Sequence, residues 1–125
     1  MVSRPLVAVV DDDESVRESL PDLLRELGFD AETFASPEEF LRSTAVERAD
    51  CLLLDIAMPG MSGPDLQAEL SRTQQAIPIV FITAQADQGI RDRVIVCGAV
   101  DCLFKPFTDV APRRALRAAL PASQQ

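Results

Sequence analysis

Five short apolar runs recur along the chain, at Leu6–Val10, Ala31–Phe34, Cys51–Leu54, Ile79–Ile82 and Asp101–Phe104, with a helical pattern after each. Most are too short for helices, and several carry the Val, Ile and Phe content of strands covered on both faces. After the first run, Val16, Leu20, Leu23, Leu24 and Leu27 fall at i, i+4, i+7, i+8 and i+11, one stripe that Gly28 ends. Pro21 lies inside that stripe and cannot donate to the carbonyl of Arg17, so a kink or a shortened first turn is expected. A second helix opens with Ser36 as N-cap, Pro37 at the first position and Glu39 closing a capping box. A third starts at Gly63-Pro64 and carries Leu66 and Leu70. A fourth runs from about Gln88 to Cys97 before Gly98, and a short fifth starts near Asp109, flanked by Pro112 and Pro121.

Strand followed by helix five times over implies a parallel sheet with right-handed crossovers and helices on both faces. For five strands the expected architecture is an α/β, flavodoxin-like, doubly wound (βα)5 fold with strand order 2-1-3-4-5. The 125 residues suit one domain over 1–125, with a structured core over about 5–120 and a tail over 121–125. No segment repeats, and no apolar run is long enough to span a bilayer. A cytoplasmic address without membrane contact is therefore expected, and a net charge of -8 argues against direct nucleic-acid binding.

Two shortages narrow the chemistry. The chain has no histidine, which removes Ser-His-Asp and Cys-His nucleophile systems and His-ligated zinc. Cys51, Cys97 and Cys102 are odd in number and never spaced Cys-x-x-Cys, so a zinc ribbon, a redox dithiol and a disulfide scaffold are disfavoured, and each thiol is expected as a small buried hydrophobe. Lys105 is the only lysine, against eleven arginines.

In doubly wound sheets the functional crevice lies beyond the carboxyl ends of the strands, where the order reverses between strands 1 and 3. Strand 1 ends in Asp11-Asp12-Asp13-Glu14, strand 3 in Asp55, strand 4 in Thr83-Ala84 and strand 5 in Lys105-Pro106. Asp11, Asp12 and Asp55 are expected to converge. Three carboxylates so placed repel strongly, so either one holds a proton or a cation sits among them, and a hard oxygen-ligated ion such as Mg²⁺ suits the site. Asp13 and Glu14 read instead as acids facing the positive end of the first helix. Lys105 offers a compact point charge to one phosphate or carboxylate oxygen.

The most specific stretch is Asp55-Ile56-Ala57-Met58-Pro59-Gly60-Met61-Ser62-Gly63. With Asp-Asp after strand 1, Thr-Ala after strand 4 and Lys-Pro-Phe after strand 5, it resembles the receiver domain of bacterial two-component response regulators, from Leu6 to about Leu120. Val9-Val10-Asp11-Asp12-Asp13 and Gly98-Ala99-Val100-Asp101 are most similar to regulators of the nitrogen-fixation type, which usually add a helix-turn-helix domain that is not expected within this chain.

The resemblance implies a signalling module in a phosphorelay, not an enzyme in its own right. Asp55 is then the phosphoacceptor for the phosphohistidine of a sensor histidine kinase. Asp12, Asp55 and the backbone carbonyl of Ala57 are then the Mg²⁺ ligands, with Asp11 acting through water. Lys105 and Thr83 are then partners of the phosphoryl oxygens, and the missing histidine is the kinase's to supply. The implied output is transcription, through a face made of the fourth helix, fifth strand and fifth helix. That face carries Arg91, Arg93, Asp101, Arg113, Arg114 and Arg117, charges of both signs that suit reciprocal pairs across a twofold homodimer.

The sequence departs from the family at two places. Where the switch aromatic stands, three residues before the lysine, this chain has Cys102, with Phe104 two residues on and on the same strand face. Two residues after the phosphoacceptor it has Ala57, which cannot orient a water. Gln85 is the nearby polar candidate, so a long-lived phosphoryl group is expected. A phosphatase of the haloacid-dehalogenase kind needs a second Asp at the position of Ala57, and a flavodoxin needs hydroxyls and glycines where Asp11 to Glu14 stand. The alternative reading is a receiver that docks without phosphorylation or serves as a phosphate sink.

Overall fold

The computed structural model describes residues 4–56, 58, 60–84, 88–96, 98–105 and 110–120, with the backbone alone at 88, 110 and 111. The chain runs β1 (Leu6–Val10), α1 (Glu14–Glu26), β2 (Asp30–Phe34), α2 (Pro37–Leu41), α3 (Ala45–Arg48) and β3 (Cys51–Asp55). It continues through α4 (Gly63–Arg72), β4 (Ile79–Thr83), α5 (Gln88–Val96), β5 (Asp101–Phe104) and α6 (Val110–Ala119). The five strands form one parallel sheet in the order β2-β1-β3-β4-β5, the expected doubly wound arrangement.

Because side chains alternate across a strand, the apolar runs divide into two cores. Ala8, Val10, Leu52, Leu54, Phe81 and Cys102 face one side, where Phe40, Ala45, Leu66 and Val94 of α2 to α5 cover them. Val7, Val9, Leu53, Val80, Ile82 and Leu103 face the other, against Leu20 and Leu24 of α1 and Leu116 of α6. Every residue of β3 and β4 is buried, which explains why those strands read as unbroken apolar runs.

The helices correct the sequence reading in three places. Pro21 lies inside α1, yet the helix runs from Glu14 to Glu26, so its first turn is not shortened as one of the two expected outcomes had it. The stripe that buries Leu20 and Leu24 against the sheet outweighs the one donor that proline withholds. Ser36 caps α2 by accepting from the Glu39 N–H at 3.1 Å, but Glu39 reaches past Ser36 to the N–H of Ala35 at 3.4 Å, so the box is not closed as expected. The second helical segment is also two pieces. α2 ends at Leu41, and Ser43 starts another turn by accepting from the Ala45 N–H at 3.1 Å. The expected fourth and fifth helices are therefore α5 and α6.

Candidate functional site

One step beyond the paired residues Val10 and Leu54, the adjacent strands β1 and β3 deliver Asp11 and Asp55 side by side. Asp11 is fully buried and Asp55 nearly so, whereas Asp12 is exposed. Carboxylate oxygens of all three lie within 4.8 Å of one another. The convergence expected from the sequence is present, and an all-oxygen donor set at that spacing fits a hard divalent cation such as Mg²⁺. Ala57, expected to add its carbonyl, and Gln85 lie outside the described residues.

Asp11 is held at every polar atom. Its N–H donates to the carbonyl of Phe34 at 3.1 Å, and Oδ1 accepts from the Asp13 N–H at 2.9 Å. Lys105 Nζ stands 2.8 Å from Oδ2, and the carbonyl accepts from Arg17 Nη1 at 2.9 Å. Asp13 plays the structural part expected of it. As the N-cap of α1 it accepts from the Ser15 N–H at 2.9 Å and hydroxyl at 2.7 Å, bonds that hold its carboxyl below the usual carboxylate range.

Lys105 enters from β5, where its N–H donates to the carbonyl of Thr83 at 2.8 Å. Its ammonium lies 4.0 Å from Asp55 Oδ2, farther than from Asp11. Burial works to lower its pKa, but the hydrogen bond and charge of Asp11, with the charges of Asp55 and Asp13, together hold it above the ordinary lysine value. Thr83 is buried at the end of β4. Ala84 and Lys105, with the cap residue Asp13 and Ser15, Val16, Ser19, Leu20 and Leu23 of α1, line an open cleft of about 670 Å³ that runs along α1.

The loop after Asp55 is anchored at both ends. Ile56 donates to the carbonyl of Ile82, and Gly63 donates back to the carbonyl of Ile56, each at 3.0 Å. Gly63 has no alternative here, since a Cβ would lie 2.5 Å from the carbonyl oxygen of Asp55 and 2.9 Å from the Phe81 ring. Ser62 and Asp65 close a full capping box at the start of α4. Ser62-x-x-Asp65 carries the signature of that box in the sequence.

Cys102 is buried, and Phe104 packs half-buried against the same core, as the period of two requires. Burial first, and then the charge of Asp101, raise the Cys102 thiol above its ordinary pKa. Cys51 is buried as well, whereas Cys97 lies outside the described residues. One sequence expectation changes: Arg91 Nη2 pairs with Asp101 Oδ1 at 2.9 Å within the chain, so these two charges are engaged with each other. The sequence reading also missed Arg17 at the Asp11 carbonyl and the exposed apolar pair Ile95 and Val96 on α5.

A parallel 2-1-3-4-5 sheet with an acidic trio and a lysine at its carboxyl edge defines the class of doubly wound α/β domains with an acidic strand-end pocket. The chain matches the response regulator receiver domain family over residues 7–117, and it belongs to that family. It is 45% identical over 107 residues to Nodulation protein W of Bradyrhizobium diazoefficiens, covering 86% of this chain and 47% of that protein. It is 35% identical over 119 residues to the transcriptional regulatory protein FixJ of Azorhizobium caulinodans, covering 95% of this chain and 56% of that one. The solved structure of the response regulator StyR superposes with a TM-score of 0.84 at 47% identity, covering 94% of this chain and 60% of that chain. The chain spans about half the length of the curated relatives it matches. Receiver domains are signalling modules that histidine kinases phosphorylate on aspartate, with Mg²⁺ bound in an acidic pocket. Among the described residues no helix is long and apolar enough to cross a membrane.

Proposed function

We propose that this chain is a single receiver domain that accepts a phosphoryl group on Asp55 from a sensor histidine kinase, in the cytoplasm, and so switches an interaction face that controls a transcriptional output. The observation that carries this reading is the trio Asp11, Asp12 and Asp55, with oxygens within 4.8 Å, beside a lysine 4.0 Å from Asp55. An Asp55 oxygen attacks the phosphorus of the kinase's phosphohistidine in line. The new O–P bond forms as the P–N bond breaks, and the ring nitrogen leaves with its electron pair. Mg²⁺ would be held by Asp12, Asp55 and the carbonyl of Ala57, with Asp11 acting through water, and would supply charge neutralisation. Lys105 exchanges Asp11 for a phosphoryl oxygen, and Thr83 donates its hydroxyl to another.

The responding face is α5, β5 and α6. Exposed Ile95 and Val96, next to exposed Arg93, support docking there, and a second phosphorylated copy is the partner we assign. The chain itself makes no nucleic-acid contact in this reading. With alanine at 57, the phosphoryl group is long-lived.

Intact mass after incubation with acetyl phosphate tests this. The wild type gains one phosphoryl group with Mg²⁺ and none without it, and Asp55→Asn gains none. The modified protein elutes earlier on sizing as a dimer. A folded wild type that binds Mg²⁺ yet gains no mass would overturn the phosphoacceptor reading in favour of docking without phosphorylation.

A further inference from the structure

Asp12 is the exposed member of the acidic trio, and among the described residues its carboxylate has no protein partner. Its aim therefore comes from its backbone. The peptide joining Asp11 to Asp12 is planar, so holding the Asp11 carbonyl also fixes the direction in which Asp12 leaves. The group that holds this carbonyl is a side chain outside the receiver motif: Arg17 Nη1 donates to it at 2.9 Å. Arg17 is itself tied into the same turn, since its N–H donates to the Asp13 carbonyl at 3.2 Å. The half-buried guanidinium thus spans from the first turns of α1 back to the end of β1.

We propose that Arg17 is a positioning residue for the divalent cation, fixing the Asp11–Asp12 peptide so that Asp12 joins Asp11 and Asp55 in one ligand set. The inference rests on the reading of that trio as the Mg²⁺ site. It makes a claim opposite in sign to simple electrostatics. A cation beside a cation site weakens binding, so removing charge alone would tighten Mg²⁺. Removing an orienting partner loosens it, as loss of outer-shell groups commonly does.

The test is calorimetric titration of Mg²⁺ into the whole chain, for wild type, Arg17→Gln, Arg17→Lys, Asp12→Asn and the Arg17→Gln/Asp12→Asn double variant. Thermal melts without metal accompany it. Arg17→Gln is expected to bind Mg²⁺ roughly tenfold more weakly. Arg17→Lys, which keeps the charge without the planar fork, should bind more weakly than wild type and more tightly than Arg17→Gln. Once Asp12 is asparagine, the glutamine substitution should cost nothing more. Equal or tighter binding by a folded Arg17→Gln would overturn the inference, as would full additivity with Asp12→Asn. Should Arg17→Gln fail to fold, Arg17→Lys decides: weaker binding supports the role, and wild-type binding overturns it. A wild type that binds no Mg²⁺ would overturn the metal reading of the trio and this inference with it.

Discussion

Lys105 stands between two carboxylates at unequal distances, 2.8 Å from Asp11 and 4.0 Å from Asp55. The nearer acid holds the ammonium, which leaves the Asp55 oxygens to their own role. The lysine's importance was legible because it is the only one in the chain, but its resting partner was not, since spacing gives the strand end and not which oxygen is nearer. At Cys51 burial is the largest influence, with the charge of Asp50 adding to it and a backbone hydrogen bond from Leu52 opposing it. Desolvation pushes its thiol from 9.0 to about 12, so the unfolded chain releases this proton near pH 9 while the folded chain keeps it. The stability due to the protonated thiol is complete below pH 9.0 and is lost as pH rises towards 12. Urea unfolding at a series of alkaline pH values should therefore show wild type losing up to about 1.4 kcal/mol per pH unit more than Cys51→Ala. Parallel profiles would show that the thiol is not so shielded.

Among the elements, α4 couples most directly to the site. Its first residue lies where a Cβ would overlap the Asp55 carbonyl, so Gly63→Ala must displace either the helix or the phosphoacceptor backbone. Denaturant unfolding should show a loss of about 1–3 kcal/mol, and phosphorylation by acetyl phosphate should slow at saturating Mg²⁺. Wild-type values for both would mean the loop yields without cost. The five strands were legible because buried runs of four or five residues between turn signals have few other readings. Each strand end named in the sequence is where the structure has it, apart from one-residue extensions of β2, β3 and β4. The four-residue α3 was not legible, since one turn is too short for a helical period to show. The same limit hid Arg17. Its side chain acts on a carbonyl six positions back, a contact that needs the turn from β1 into α1 before it can be seen.

At the scale of the molecule, two cores on either side of one sheet fix a rigid platform, and the order reversal between β1 and β3 decides where the acids meet. The cleft along α1 and the exposed apolar end of α5 lie on different elements. In the proposed function the phosphorylated pocket connects them through Thr83, Lys105 and β5. The Arg91–Asp101 pair ties α5 to β5 across that route. The sequence carried the pocket's membership because each member stands at a strand end, while the state of the responding face depends on pairs formed only in the fold.

The most direct test of the central claim is to locate the phosphoryl group. Borohydride reduces an aspartyl phosphate to homoserine, so reduction of the acetyl-phosphate-treated chain followed by peptide mass spectrometry reads the modified position. The account predicts homoserine at position 55 alone, and only when Mg²⁺ was present. Homoserine at 11 or 12, or an intact phosphoester on Thr83, would contradict it.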